Sequence, residues 1–366
     1  MLRSLAQPRR ILMTVDAVGG VWNYAMTLGR ELKRMGMSIV FAGVGPGPSA
    51  EQQAQAEAIG TVVWLQTPPD WMTDRPEVLD GLKDELPALV REHAIDLVHL
   101  NAPSQAAGLE VPCPVVVISH SCVVTWFHAV LGEPVPDGWR WHEERNRQGF
   151  ERADAIVAPS TSHAALMQAC YGPIARLSAV YNAVEEIASA GEREPIVVAA
   201  ARWWDNGKNA AVFDEAAANS AWPVRAIGAT RGPNGEHVEF RHARATGSIP
   251  AFEIRSAFSQ AGLFVSPSLY EPFGLAALEA ALSSTPLLLA DIPTYRELWD
   301  GAALFFPPRD AAALSDAINS LAGDPERRRQ LGRLAAERAR RFSPRSQAAA
   351  MAALYQNAVE AVARGR

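Results

Sequence analysis

Glu271-Pro272-Phe273-Gly274-Leu275, followed by Glu279, joins a short apolar run, Gly262-Leu263-Phe264-Val265, to an Ala/Leu-rich run, Leu275 to Leu282. The first run reads as a strand and the second as a buried helix. A Pro-x-Gly turn at a helix start leaves several backbone N–H groups unpaired at the positive end of the helix dipole. That favours an anion or a hydroxyl. Glu271, held just ahead of the turn, can accept hydrogen bonds from sugar hydroxyls. Glu279 comes about two turns further on, roughly 9 Å along the axis for a helix starting at Phe273. One carboxylate at each end suits a ligand with two polyol parts and a diphosphate between them, the layout of a nucleotide-sugar. Two glutamates at this spacing also occur on plain solvated helix faces. The flanking sequence separates the two readings.

On either side of this segment, apolar strand-like runs alternate with helix-like runs. Strands read at Ile11 to Val15, Ser38 to Ala42, Thr61 to Leu65, Asp96 to Leu100, Val115 to Ser119 and Ala155 to Ala158, then at Ile196 to Ala200, Pro223 to Ile227, Leu263 to Ser266 and Leu287 to Ala290. Helices read at Val21 to Met35, Pro76 to His93, Ser160 to Tyr171 and Pro344 to Ala363. Continuous Val/Ile runs between helices mean strands covered on both faces, hence parallel sheets. The polar stretch from Asn182 to Pro195, with Glu185, Glu186, Glu192, Arg193 and Glu194, reads as a linker. Two doubly wound α/β domains follow, with ligands expected at the carboxyl ends of their strands, where the domains face a cleft.

A chain of 366 residues fits two domains of about 180 each. Its 48% hydrophobic and 20% charged content is that of an ordinary globular enzyme, and its net charge of −6 argues against a nucleic-acid binder. No run approaches the roughly 18 apolar residues of a membrane span, and the segment Met1 to Arg10 lacks the apolar core of a signal peptide. Cys113, Cys122 and Cys170 form no CxxC and no metal-ligand spacing, so they read as reduced core thiols of a cytoplasmic protein.

Three further stretches carry candidate chemistry. Arg202-Trp203-Trp204-Asp205-Asn206-Gly207-Lys208-Asn209 follows a strand and opens a helix. Two cations on such a loop can converge on one diphosphate, Arg through its planar fork and Lys as a point charge. Gly19-Gly20 lies between the first strand and the first helix, where backbone can approach a phosphate or sugar closely. No GxGxxG is present, which argues against a dinucleotide dehydrogenase. His120, in Val117-Ile118-Ser119-His120-Ser121, stands at the carboxyl end of a strand.

Ser266-Pro267-Ser268 before the Glu271 turn, Pro286 to Ala290 after it and Arg296-Glu297-Leu298 beyond complete a pattern. This segment resembles the donor-binding signature of retaining glycosyltransferases of family 4 (glycosyltransferase group 1 type), which have the GT-B fold. The resemblance runs from the first glycine loop to the final helix. It implies a GT-B architecture of two Rossmann-like domains facing a central cleft. The acceptor-side domain would span 1–182, with the helix 345–366 packing back on it, and the donor-binding domain 183–344.

By resemblance, Arg202 and Lys208 bind the donor phosphates and stabilise the leaving nucleoside diphosphate. Glu271 orients the donor sugar and Glu279 the ribose hydroxyls. Backbone N–H groups of Phe273, Gly274 and Leu275 face the diphosphate, with Gly19 and Gly20 lying over it. His120 hydrogen-bonds the transferred sugar, although Ser121 stands where many relatives have Asp. The implied reaction moves a sugar from a nucleoside-diphosphate donor, UDP first and GDP second, to a glycan, a lipid-linked sugar or a small molecule. Anomeric configuration would be retained through front-face attack. No cofactor is expected, and without an Asp-x-Asp motif no metal either.

Trp126 and Trp139 lie in an aromatic, Gly- and Pro-interrupted stretch near His120, where they would stack an acceptor sugar or pack on their own domain. Arg327, Arg328, Arg329, Arg333, Arg338, Arg340 and Arg341 read as a solvated helix face, with peripheral contact with an anionic membrane as the alternative. Other readings of the whole chain are a nucleotide-sugar 2-epimerase of the same architecture, a phosphorylase needing pyridoxal phosphate, and a non-catalytic nucleotide-sugar binding protein.

Overall fold

The computed structural model describes residues 8–185, 193–233 and 235–364. The chain divides into two compact units, one reaching to Ala183 and taking in the residues from Pro344 on, the other Val184–Ser343. Among the described residues, the first holds seven strands, β1 (Arg10–Asp16), β2 (Ser38–Val44), β3 (Thr61–Trp64), β4 (Leu97–Leu100), β5 (Val115–Ile118), β6 (Ala155–Ala158) and β7 (Leu177–Ala179), in the order β3-β2-β1-β4-β5-β6-β7. The second holds six, β8 (Glu194–Ala200), β9 (Val224–Ile227), β10 (Arg244–Gly247), β11 (Ala261–Ser266), β12 (Leu287–Ala290) and β13 (Leu304–Phe306), in the order β10-β9-β8-β11-β12-β13. Every pairing between these strands is parallel. Each sheet runs outward in one direction and then restarts beside its first strand, which is the Rossmann order.

The strand sequences explain this layering. Ile11, Met13 and Val15 of β1 join Ile39, Phe41, Leu97, Val116 and Ile118 on one face, while Leu12 joins Val40, Ala42, Val98 and Val117 on the other. Alternate side chains are therefore apolar on both faces, and each face needs a helical layer. On the first face that layer includes the last helix, Pro344–Ala363, whose Met351 and Tyr355 are fully buried. In the second unit, Val197, Val198, Ala199, Phe264 and Leu287 to Ala290 form the core with Trp203, which stacks on Phe213 at 5.1 Å between centroids.

Three strands escape the sequence reading: β7, β10 and β13. All are edges of three or four residues with partly exposed side chains, so none shows the continuous apolar run of an interior strand. The segment Pro76 to His93 is a 3-10 turn, Pro76–Gly81, before the helix Leu82–Glu92. The expected linker also needs correction. Glu194 already belongs to β8, and the Arg193 guanidinium donates to the carbonyls of Ser259, Ala261 and Ser283 and to Thr285 Oγ1. Residues 186–192, including Glu186 and Glu192, lie outside the described residues.

One glycine marks a close approach. The helix Arg140–Arg152 lies against the 3-10 turn Pro103–Ala106, and a Cβ on Gly149 would sit 1.9 Å from the Pro103 carbonyl oxygen. Gly149→Ala should lower stability by about 2 kcal/mol or more in a urea melt, because backbone on both sides must move. An unchanged midpoint would contradict this packing.

Candidate functional site

In the second unit, the carboxyl ends of β8 and β11 adjoin at the point where the strand order reverses. The loop after β8 makes a 3-10 turn, Asn206–Lys208, capped by Asp205, whose carboxylate accepts from Gly207 N at 2.8 Å. Asn209 then takes a left-handed conformation with φ 58°. Its side-chain amide donates to the carbonyls of Pro267 at 3.0 Å and Pro308 at 2.7 Å. Leu269 N in turn donates to Gly207 O at 2.8 Å. The Pro267 and Leu269 bonds latch the loop after β8 to the loop after β11, and the Pro308 bond ties it to the loop after β13.

The latch brings two candidates together. Lys208 Nζ lies 2.6 Å from Glu271 Oε1, with side chains only 14% and 16% exposed. Ser268 Oγ donates to the same carboxylate oxygen at 3.0 Å. Behind it, Ser266 Oγ and the Tyr295 hydroxyl share a hydrogen bond at 2.5 Å, and burial holds that phenol well above its ordinary pKa. The Tyr295 ring also explains Gly274, whose φ is +89° and whose added Cβ would lie 2.7 Å from Tyr295 Cε1. No L side chain suits that backbone or that space.

The helix starts at Leu275, two residues later than Phe273, because Gly274 turns left-handed at its N-cap. Glu279 is therefore only about 6 Å along the axis from the helix start. It is partly buried. Burial pushes its carboxyl up to about 7, with Arg255 pulling the other way. Arg202 is exposed, with its guanidinium 5.5 Å from the centre of the Trp204 ring, and makes no ion pair among the described residues. The first N–H groups of the helix Leu275–Leu282 lack intrahelical acceptors, as at every helix start.

The first unit has its own reversal of strand order, between β1 and β4. Gly19 is extended at the N-cap of the helix Gly20–Arg34, and Val18 N donates to Asp16 Oδ1 at 3.0 Å in the turn before it. At the end of β4 stands Asn101, which the sequence reading missed. Its Oδ1 lies 2.8 Å from His120 Nε2 and 3.1 Å from His99 Nε2. Its Nδ2 donates to the Thr14 carbonyl, and its backbone N to Thr14 Oγ1 at 2.8 Å. Tyr24, on the first helix, meets His120 edge-on at 4.4 Å between centroids. Burial lowers His120 to about 3, helped by His99 and His163, and lowers His99 to about 4. Both rings are neutral at neutral pH.

Trp126 and Trp139 belong to one aromatic cluster: Phe127 contacts Trp126 at 5.3 Å and Trp139 at 6.0 Å, and Trp139 also contacts His142 at 5.4 Å. Trp139 remains 42% exposed. The basic segment is not uniformly solvated. Arg328 donates to the carbonyls of Leu321 and Ala322, and Arg338 to those of Leu298 and Asp300, while Arg327, Arg329, Arg333, Arg340 and Arg341 are exposed. The three cysteines are unpaired and partly buried. Among the described residues no group of three or more His, Cys, Asp or Glu could hold a metal ion. No helix among them is long and apolar enough to cross a membrane.

Comparison with known proteins adds to this geometry. Residues 18–186, containing Gly19, Gly20, His120, Trp126 and Trp139, match the family model described as Glycosyltransferase Family 4. Residues 237–338, containing Glu271 and Glu279, match Glycosyl transferases group 1. Arg202 and Lys208 fall between the two. The chain is 37% identical over 98 residues to the α-maltose-1-phosphate synthase of Mycolicibacterium smegmatis, covering 25% of each chain. It is 31% identical over 144 residues to the D-inositol 3-phosphate glycosyltransferase of Corynebacterium glutamicum, covering 36% of this chain and 34% of that one. The chain thus spans about a quarter to a third of the length of these relatives.

Among solved structures, sucrose-phosphate synthase from Thermosynechococcus elongatus superposes with a TM-score of 0.81 at 19% identity, over 96% of this chain and 100% of that one. Anabaena HepE in complex with UDP-glucose gives 0.75 at 14%, over 95% and 99%. At such identities the likeness is one of fold. Two stretches of the chain are thus similar to the family 4 and group 1 glycosyltransferase models, and its fold is that of these solved structures.

Proposed function

We propose that this protein is a retaining glycosyltransferase that moves a sugar from a nucleoside-diphosphate donor, a UDP-sugar first and a GDP-sugar second, to a hydroxyl of a sugar, lipid-linked or small-molecule acceptor. The observation that carries this reading is the part-buried Lys208–Glu271 pair, set just ahead of the helix Leu275–Leu282, whose N-cap Gly274 supplies no side-chain hydrogen bond. A fixed cation, a fixed carboxylate and a helix N-terminus suit a diphosphate joined to a polyol. HepE, of the same fold, is known in complex with UDP-glucose, which supports a UDP-sugar.

In this reaction Arg202, Lys208 and the helix N–H groups stabilise the departing diphosphate, the largest charge that develops. Glu271 accepts hydrogen bonds from the donor sugar and Glu279 from the ribose. His120 touches the transferred sugar, and Trp126 and Trp139 stack the acceptor. Configuration is retained by front-face attack, in which the leaving phosphate oxygen takes the acceptor proton as the glycosidic bond breaks. A divalent cation is not required, so transfer should proceed at an unchanged rate in EDTA. Full loss in EDTA, restored by Mg²⁺ or Mn²⁺, would refute that.

Thermal shift with UDP, GDP, ADP and TDP tests the donor site. At 100 times its dissociation constant the correct diphosphate should stabilise wild type by about 2.7 kcal/mol. Lys208→Met, which keeps the alkyl stem, should lose most of that shift. It should also melt lower than wild type, because Glu271 is left part-buried without its cation. Transfer by this variant should fall by about 10²–10³. No shift with any nucleotide, in a folded protein, would remove the main support for the reading.

Glu279 supplies a pH test. A ribose-binding carboxylate must be ionised, yet burial holds Glu279 protonated up to about 7 in the free protein. Binding therefore releases a proton, and affinity rises as pH goes from 6 to 8, by up to about tenfold. Glu279→Gln should keep only the shallower slope from the diphosphate's own titration. Equal slopes in the two proteins would exclude Glu279 from the ribose site.

A further inference from the structure

Tyr355 sits on the last helix, fully buried, with its hydroxyl 2.6 Å from His99 Nδ1. The direction of every bond from there to His120 is determined. Asn101 donates its side-chain N–H to the Thr14 carbonyl, which can only accept, so the other Asn101 atom is the oxygen. That oxygen accepts from Nε2 of both His99 and His120. A neutral imidazole has one proton, so His99 keeps a bare Nδ1, and Tyr355 must donate to it. For the same reason His120 is left with a bare Nδ1, which makes no hydrogen bond among the described residues. Of Tyr355, His99 and His120, only His120 is not fully buried as a residue. Thr14 Oγ1 donates to Gln105 and accepts from Asn101 N, which fixes the asparagine itself.

We propose that Tyr355 is a positioning residue for His120: through His99 and Asn101 it holds the His120 proton on Nε2 and so presents Nδ1 as a hydrogen-bond acceptor to a ligand hydroxyl. A hydroxyl group can satisfy that nitrogen, whereas a phosphate or carbonyl oxygen cannot. The hydroxyl ligand rests on the glycosyltransferase reading; the tautomer does not. Without the Tyr355 hydroxyl, His99 Nδ1 is a buried acceptor with no donor. Moving the His99 proton to that side turns its bare Nε2 towards Asn101 Oδ1, lone pair against lone pair. Asn101 is then pushed off His120, and His120 is free to take either tautomer. Tyr24, edge-on to the ring, limits its tilt but cannot choose its proton.

The test is long-range proton–nitrogen NMR on the full chain labelled with ¹⁵N at histidine, free of ligand and at neutral pH. The expected result is Nε2–H with bare Nδ1 for both His99 and His120, the latter assigned by its loss in His120→Gln. Tyr355→Phe should show a mixture of His120 tautomers, and transfer should lose about tenfold in kcat with the donor KM within about twofold. His99→Gln keeps a donor towards Asn101 and an acceptor towards Tyr355, so it should keep the wild-type His120 tautomer; His99→Leu should not.

An Nδ1–H on His120 in wild type overturns the proposal. So does a folded Tyr355→Phe that melts lower yet leaves the His120 tautomer and the donor kcat unchanged, since the hydroxyl would then serve packing alone. Should Tyr355→Phe fail to fold, the two His99 variants decide instead, and equal His120 spectra in both overturn it. If the tautomers are as expected but no nucleotide-sugar is consumed, the glycosyltransferase reading fails and the hydrogen-bond chain stands.

Discussion

Parallel strands leave their carboxyl ends all on one side of a sheet, and where the strand order reverses, two neighbouring connections must depart in opposite directions. Between them backbone is left uncovered. Both units of this chain meet that constraint, at β1/β4 and at β8/β11, and the polar groups described above gather there. Thr14 lies near the end of β1 and Asn101 just beyond β4; Arg202 and Lys208 follow β8, and Ser268 and Glu271 follow β11. His120, Trp126 and Trp139 come after β5, while Glu279 lies on the helix that follows Glu271. Gly274 must turn left-handed to start a helix so soon after Glu271, and Tyr295 fills the space a side chain would have taken.

The two units handle buried polarity in opposite ways. The second uses charge. Lys208 and Glu271 are largely withdrawn from water, and such a pair gives little net stability because desolvation offsets most of the attraction. Its value lies in position, since neither group can leave without stranding the other. The first unit uses neutral groups. His99, His120, Asn101, Thr14 and Tyr355 carry no net charge, and each bond has only one allowed direction. Neutrality follows from burial, which disfavours the imidazolium forms. The result is one ring with a fixed proton rather than one with a fixed charge.

The sequence showed the architecture well because interior parallel strands are apolar on both faces; Leu287 to Ala290 and Ala155 to Ala158 were placed to the residue. Edge strands such as Leu177–Ala179 lack that signature. In the second unit, Glu271 and Lys208 could be singled out from turn chemistry and loop position, but not their ion pair, which depends on Asn209 and Leu269 joining two loops far apart in sequence. Asn101 was within reach, since it directly follows a strand at the edge where ligands bind. Tyr355 was not. It stands 256 residues from His99, in a helix of alanines and ordinary polar residues, where a buried tyrosine reads as core.

That long separation bears on the last helix itself. Pro344–Ala363 follows the second unit in sequence but packs its Met351 and Tyr355 into the core of the first. Apolar burial alone would be met by a leucine or phenylalanine at 355, and would leave His99 Nδ1 facing hydrocarbon. A buried acceptor without a donor costs about 1–3 kcal/mol, and either way of avoiding that cost disturbs Asn101. The tyrosine hydroxyl removes the conflict. The helix therefore does more than cover the sheet: its single donor closes a chain of bonds that begins in β1 with Thr14 and ends on His120, which, unlike His99, is not fully buried.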